Sequence, residues 1–312
     1  MIVCKFGGTS TANKESLENI KSISKSDERK IFVFSAMGKR FKTDIKITDL
    51  LINFNKQNLK EISERFLWLN DFLKTKINIS KEIKIILKKY NKNKDKNYLV
   101  SRGEFLTTKI IARALKIKFI PAEKIIFFNE NKINYQKISF KLKKILKRYK
   151  KIAIPGFYGI DENKSIVLFS RGGSDVTGAV LAKASNAEVY ENWTDVSGIS
   201  EVNPVILKSA KHIPEMNYNC LKTMTSLDAK VLHNLVAVEL ENTDVITKVC
   251  NIFKPYSQST IIRKNAKDTN FICYKIENNC VFVLVKKGNN PELHKTNLKN
   301  YKNLIKNEYL KF

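Results

Sequence analysis

The chain has 312 residues, 43% of them hydrophobic, and 57 Lys plus Arg against 30 Asp plus Glu give a net charge of +27. That length buries a full core, as one large α/β domain or one domain with a small remnant, and no apolar run reaches the roughly 18 residues of a membrane span. Eight arginines accompany 49 lysines spread along the chain, which argues against an arginine-rich nucleic-acid surface and for drift toward the Lys, Asn and Ile codons of an A+T-rich genome.

The start of the chain lacks the basic segment, long apolar stretch and cleavage site of a signal peptide, so a cytoplasmic protein is expected. Residues 3–6 predict a short buried strand that carries Lys5 and runs into Gly7-Gly8-Thr9-Ser10. Bare N–H groups at such a turn, with a helix start behind them, suit phosphate oxygens, and Lys5 adds a mobile charge. There is no GxxxxGK[ST] sequence, so this is not a Walker-type loop. Leu17, Ile20 and Ile23 predict a helix, and residues 31–34 a second strand, which together make a βαβ unit. Helical stripes recur at Ile62, Phe66, Leu69 and Leu73, and at Ile138, Leu142, Ile145 and Tyr149.

Residues 91–97 predict a polar loop, with a strand restarting at 98–100. Further strands are expected at 151–155, 166–169 and 187–191, and a helix at 176–185. Strands alternating with helices predict a mostly parallel sheet covered on both faces, with ligands at the carboxyl ends of its strands. Residues 271–276 and 280–285 predict a hairpin through Asn278-Asn279, followed by a lysine-rich tail. The five cysteines form no CxxC pair and the three histidines lie far apart, so neither a disulfide framework nor a metal motif is expected.

Three further segments carry chemistry. Ser170-Arg171-Gly172-Gly173-Ser174-Asp175 offers backbone donors, an arginine for a carboxylate and an aspartate for an ammonium. Ser101-Arg102-Gly103-Glu104 places a second acidic group at an expected helix start, and Asn192-Trp193-Thr194-Asp195-Val196-Ser197-Gly198 reads as a polar turn after a strand.

Taken together, VCKFGGTS (3–10), SAMGKRFKTDIKITDLL (35–51), SRGEFL (101–106), IPGFYG (154–159), FSRGGSDVTG (169–178), YENWTDVSG (190–198) and AKVLH (229–233) resemble the aspartate kinases of the amino-acid kinase family. The resemblance covers roughly residues 1–262. It implies a three-layer α/β/α sandwich with a mostly parallel central sheet, and transfer of a phosphoryl group from ATP to the side-chain carboxylate of L-aspartate. In that reading the catalytic residues are Lys5, Arg171 and Asp175. Ser35, Thr48, Glu104 and Arg171 bind substrate, while Lys5, Gly7, Gly8, Thr194, Asp195 and Lys230 bind nucleotide. Mg2+ would be carried by ATP and no protein metal site is expected; the partners implied are L-aspartate and ATP, with a homodimer left open and no nucleic acid or membrane.

Two departures from the family pattern stand out. Asp228 occupies a position where the family usually has glycine, and Val205 one where it often has arginine. They are the support for an alternative reading, a catalytically decayed homologue kept as a binding or scaffold protein. Residues 1–265 are expected to form the catalytic domain and residues 266–312 a degenerate remnant of an ACT regulatory module, so feedback inhibition by lysine or threonine is expected to be absent.

Overall fold

A computed structural model describes residues 1–170, 172–227, 232–288 and 290–312. Strand β1 (Ile2–Phe6), helix α1 (Lys14–Ile23) and β2 (Arg29–Phe34) form the expected βαβ unit. Helices α2 (Ile47–Ile52), α3 (Lys56–Phe72), α4 (Ile79–Asn93) and α5 (Lys96–Ala114) follow, then the short strand β3 (Lys118–Phe119). Next come a minimal hairpin of β4 (Phe128–Asn129) and β5 (Lys132–Ile133), α6 (Tyr135–Arg148), β6 (Ile152–Pro155), and the antiparallel pair β7 (Tyr158–Ile160) and β8 (Ile166–Leu168). Helix α7 (Gly173–Ala184) leads to β9 (Val189–Thr194), the pair β10 (Ile199–Ser200) and β11 (His212–Ile213), and β12 (Glu215–Met216). Then come α8 (Tyr218–Ser226), α9 (Asn234–Leu240), β13 (Ile246–Asn251) and β14 (Thr260–Ile262). An antiparallel sheet of β15 (Phe271–Glu277), β16 (Cys280–Lys287) and β17 (Asn290–Asn297), with helix α10 (Tyr301–Tyr309), comes last.

Among the described residues the central sheet has eight strands in the order β12-β14-β13-β9-β1-β2-β6-β3, and only β13 against β14 is antiparallel. Alternation along the strands divides the core in two. Val3, Ile31, Val33, Ile152 and Ile154 face one apolar layer with α6, α7, α8 and α9. Cys4, Phe6, Phe32, Phe34 and Ala153 face the other, against α1 to α5. The protein is therefore α/β, with helices on both faces of a mostly parallel sheet. None of the described helices is long and apolar enough to cross a membrane.

Several local expectations change. Asn91 to Asn93 belong to α4, and residues 98–100 open helix α5 instead of a strand. Asp95 caps α5 by accepting the Tyr98 N–H at 2.9 Å, and the helix is buried on nearly every side, which erases its periodicity. Glu104 consequently projects from the middle of a helix. Strand β8 exists but pairs with β7 outside the central sheet, and Asn192, Trp193 and Thr194 complete strand β9 instead of forming a turn. The tail after the hairpin is an ordered strand and helix. The hairpin itself forms as expected, with Asn278 (φ 48°) and Asn279 (φ 63°) as its two left-handed turn residues.

Candidate active site

The carboxyl ends of β1, β2, β6 and β9 meet along one edge. Gly7 N–H donates to Trp193 O at 3.2 Å, Ser35 N–H to Phe6 O at 3.0 Å, and Gly156 N–H to Phe34 O at 3.0 Å. The turn after β1 is held against the turn after β2 by Gly38 N–H donating to Gly8 O at 2.9 Å. A Cβ on Gly38 would lie 2.6 Å from the Gly8 carbonyl carbon, so only glycine allows these two backbones to touch.

Lys5 lies one residue before the end of β1, 7% exposed. Its Nζ is 2.5 Å from Asp175 Oδ1, in the first turn of α7. In register beside Lys5 on β9 is Asn192, whose Nδ2 donates to Asp175 Oδ1 at 3.0 Å. The Tyr190 hydroxyl donates to Asp175 O at 3.0 Å, and His233 N–H reaches Asp175 Oδ2 at 3.3 Å. Both Asp175 carboxylate oxygens are thus engaged. His233 Nδ1 accepts the Leu235 N–H at 3.2 Å, which leaves the proton of the neutral ring on Nε2, 3.2 Å from Ser170 Oγ. Gly172, at φ +88°, passes so close to this ring that a Cβ would meet His233 Cδ2 at 2.6 Å.

Glu104 on α5 is 3% exposed. Burial raises its pKa to about 8, opposed by hydrogen bonds from its own N–H, from Ala36 N–H and from the Thr48 side chain, and by the Arg102 charge. Its Oε2 nevertheless has no partner. A buried carboxylate with one free oxygen is costly unless a donor arrives. The loop that serves Glu104 also carries Ser35 and Gly38, and it is pinned from behind. Arg65, only 1% exposed, donates to Gly38 O and Ile45 O and stands 3.6 Å from Asp44. Asp44 also accepts Arg40 Nε at 2.8 Å, and the Arg40 hydrogen bond holds its carboxyl below the usual range.

On the other side of Lys5, the Thr194 hydroxyl donates to Asp195 Oδ1 at 3.2 Å. Asp195 is exposed at the rim of a cleft of about 840 Å3, which Ser197, Ser200 and Asn203 line on one side and β15 on the other. Below the strand ends, buried Glu191 takes Arg29 Nε at 2.8 Å, Arg29 Nη2 at 3.0 Å and Trp193 Nε1 at 3.0 Å. Arg171, Lys230 and Asp228 lie outside the described residues.

The structure brings Lys5, Gly7, Gly8, Ser35, Thr194 and Asp175 to one sheet edge and ties Thr48 and Glu104 to it through the residue 35–48 loop. Sequence reasoning held Asn192, Ser170 and His233 inside its motifs without giving them a role, and missed Arg65. The alternation of Asn192 with Tyr190 was visible, but its register beside Lys5 was not. Arg65 sits in a helical stretch otherwise read as core, and a lone arginine next to Phe66 was the only signal.

A lysine buried beside glycine turns at the carboxyl edge of a parallel sheet is an α/β arrangement that suits phosphate oxygens. The amino acid kinase family profile matches residues 1–251, so the chain belongs to that family. Aspartokinase 3 of Bacillus subtilis (strain 168) is 30% identical over 86% of this chain and 65% of its own length. The Rickettsia prowazekii aspartokinase is 28% identical over 86% of this chain and 55% of its length. This chain thus spans less than two thirds of those relatives. The crystal structure of Clostridium acetobutylicum aspartate kinase superposes with a TM-score of 0.82 at 32% identity, covering 88% of this chain and 67% of the other. Escherichia coli aspartokinase III shares the fold, with a TM-score of 0.76 at 22% identity over 88% of this chain and 67% of the other.

Proposed function

We propose that this protein is an ATP-dependent kinase that phosphorylates the side-chain carboxylate of L-aspartate, giving ADP and 4-phospho-L-aspartate. The observation that carries the reading is the pair of buried ionisable groups at one edge of the sheet, Lys5 beside the glycine turns and Glu104 with an unpartnered oxygen. The names of the relatives, aspartokinase and aspartate kinase, support the same substrate.

The nucleophile is the substrate's own carboxylate, ionised at neutral pH with a pKa of about 3.9, so no enzyme base is required. The barrier is repulsion between that anion and the ATP phosphates. Lys5 neutralises the transferring phosphoryl group, and the N–H groups of Gly8 and Gly172 share the developing charge, while the Gly7 and Gly173 N–H groups hold the two turns by donating to Trp193 O and Ser170 O. Glu104 Oε2 accepts the substrate ammonium, flanked by Ser35 and Thr48. Arg171 is read as the partner of the α-carboxylate. Asp175 holds Lys5 in place, and Thr194, Asp195 and Lys230 are read as nucleotide contacts. Mg2+, which keeps several waters, fits as an ion carried on the ATP oxygens and would supply further charge neutralisation there.

The finer parts of the proposal are a cytoplasmic reaction that opens lysine, threonine and methionine synthesis, with a homodimer left open, and residues 266–312 as a reduced ACT module without feedback inhibition. The support for the last is their form, one three-stranded antiparallel sheet with one helix.

A hydroxamate assay for the acyl phosphate tests the function. Wild-type protein with ATP and aspartate gives signal, and Lys5→Ala lowers kcat by roughly 100-fold or more, as for loss of a principal transition-state charge. Absence of acyl phosphate from the wild type, or equal turnover with glutamate, overturns the reading. Millimolar lysine or threonine in the same assay tests the regulatory part, and inhibition would refute it.

A further inference from the structure

The segment between β10 and β11 begins seven residues after Thr194, and its inner side belongs to the core of the C-terminal sheet. Val202, 1% exposed, joins Ile272, Val281, Val283, Val285 and Ile305 in one apolar cluster. Hydrogen bonds fasten the same segment along its length. Ile272 N–H donates to Glu201 O at 2.7 Å. The Tyr309 hydroxyl donates to Glu201 Oε2 at 3.0 Å and accepts Lys211 N–H at 3.0 Å, so one oxygen on α10 ties both ends. Tyr274 hydrogen bonds to Asn203 at the mouth of the cleft beside Asp195. The rest of its support is local: Ile206 and Leu207 N–H donate to Asn203 O and Ala210 N–H to Leu207 O, Thr260 braces Ile199 and Ile213, Val205 is 90% exposed, and β10 and β11 share only two residue pairs.

We infer that the sheet of β15, β16 and β17 with α10 is the scaffold that sets the position of residues 199–211, and with them the cleft wall facing Asp195, while Thr194 is fixed by β13; Tyr309 and Ile305 are thereby positioning residues for nucleotide binding. This rests on the proposed use of Thr194 and Asp195 for ATP. The small C-terminal unit completes the nucleotide side of the site and leaves the aspartate side, built on α5 and the residue 35–48 loop, untouched. Its substitutions therefore separate the two substrates.

The test uses the full chain as wild type, Tyr309→Phe, Ile305→Ala and, as a surface control on the same end of the chain, Leu310→Ser. Three readouts are taken: amide hydrogen exchange without ligand, the Kd of a fluorescent ATP analogue, and separate KM values for ATP and aspartate. Tyr309→Phe and Ile305→Ala are expected to lose protection across residues 197–211 and to raise the analogue Kd and the ATP KM, about fivefold for Tyr309→Phe, the equivalent of one net buried hydrogen bond, and at least as much for Ile305→Ala, which leaves a cavity. The aspartate KM stays within twofold of wild type, and Leu310→Ser matches wild type throughout. Unchanged exchange and Kd in both variants, or parallel rises in both KM values, overturn the inference. A wild type that binds the analogue but forms no acyl phosphate sinks the proposed reaction instead, and the exchange and Kd readouts still decide the scaffold's role.

Discussion

Lys5 is buried with a counter-ion at 2.5 Å, whereas Glu104 is buried with one oxygen unpartnered. For Glu104 the sign of the pH effect follows directly. Burial raises its pKa from 4.5 to about 8, so the folded protein keeps a proton that the unfolded chain releases. Its contribution to stability is fully present below pH 4.5 and falls as pH rises toward 8. Glu104→Gln, which stays neutral, removes that decline. Thermal melts should show the variant gaining on wild type from pH 5 to pH 8, and parallel pH profiles would contradict the assignment. The ammonium of a bound substrate favours the ionised carboxyl, so aspartate binding at pH 7 is expected to release a proton. Calorimetry in buffers of different ionisation enthalpy reads that release, and it should vanish in Glu104→Gln.

Single elements show where local sequence speaks and where it does not. The strand and helix of the first βαβ unit were legible because Leu17, Ile20 and Ile23 bury one face and leave the other in water. Helix α5 was illegible at its start because Tyr98, Leu99 and Val100 are all buried, and a continuous apolar run reads equally well as a strand. Its Asp95 cap was the local clue. The site was legible in its glycine turns, which announce themselves by composition, and not in the way the turns brace one another. The Gly8–Gly38 crossing is such a brace. Gly38→Ala places a Cβ 2.6 Å from backbone, so the two turns must separate. Aspartate phosphorylation is expected to drop at least tenfold, out of proportion to a loss of thermal stability typical of single substitutions, about 1–3 kcal/mol. Turnover within twofold of wild type would show that the contact is incidental.

The whole molecule follows the alternation of its strands, since Val3 and Cys4, or Val33 and Phe34, look into different layers. That division could be anticipated from short apolar strands between amphipathic helices. The third strand of the C-terminal sheet could not. β17 is polar and mostly exposed, with Pro291 near its start, a composition tolerated on a sheet edge and nearly silent as a strand signal. The net charge of +27 also belongs to this scale. Lysines dispersed along the whole sequence give a diffuse field instead of a concentrated basic patch. Filter binding at about 150 mM salt is expected to retain no RNA or single-stranded DNA at micromolar protein; tight, salt-sensitive retention would demand a different account of the surface.

The ion pair between Lys5 and Asp175 has one more consequence. Asp175 gives Lys5 an anion of its own, so a stray orthophosphate or sulfate must displace a tethered carboxylate that is always at hand. If ATP binds as proposed, its nucleoside end gives it a hold that no small ion has. On that reading the site discriminates against the free phosphate around it. Asp175→Asn should undo this, with phosphate inhibiting the variant at concentrations at least tenfold lower than wild type. An unchanged inhibition constant would mean that the aspartate only positions the lysine.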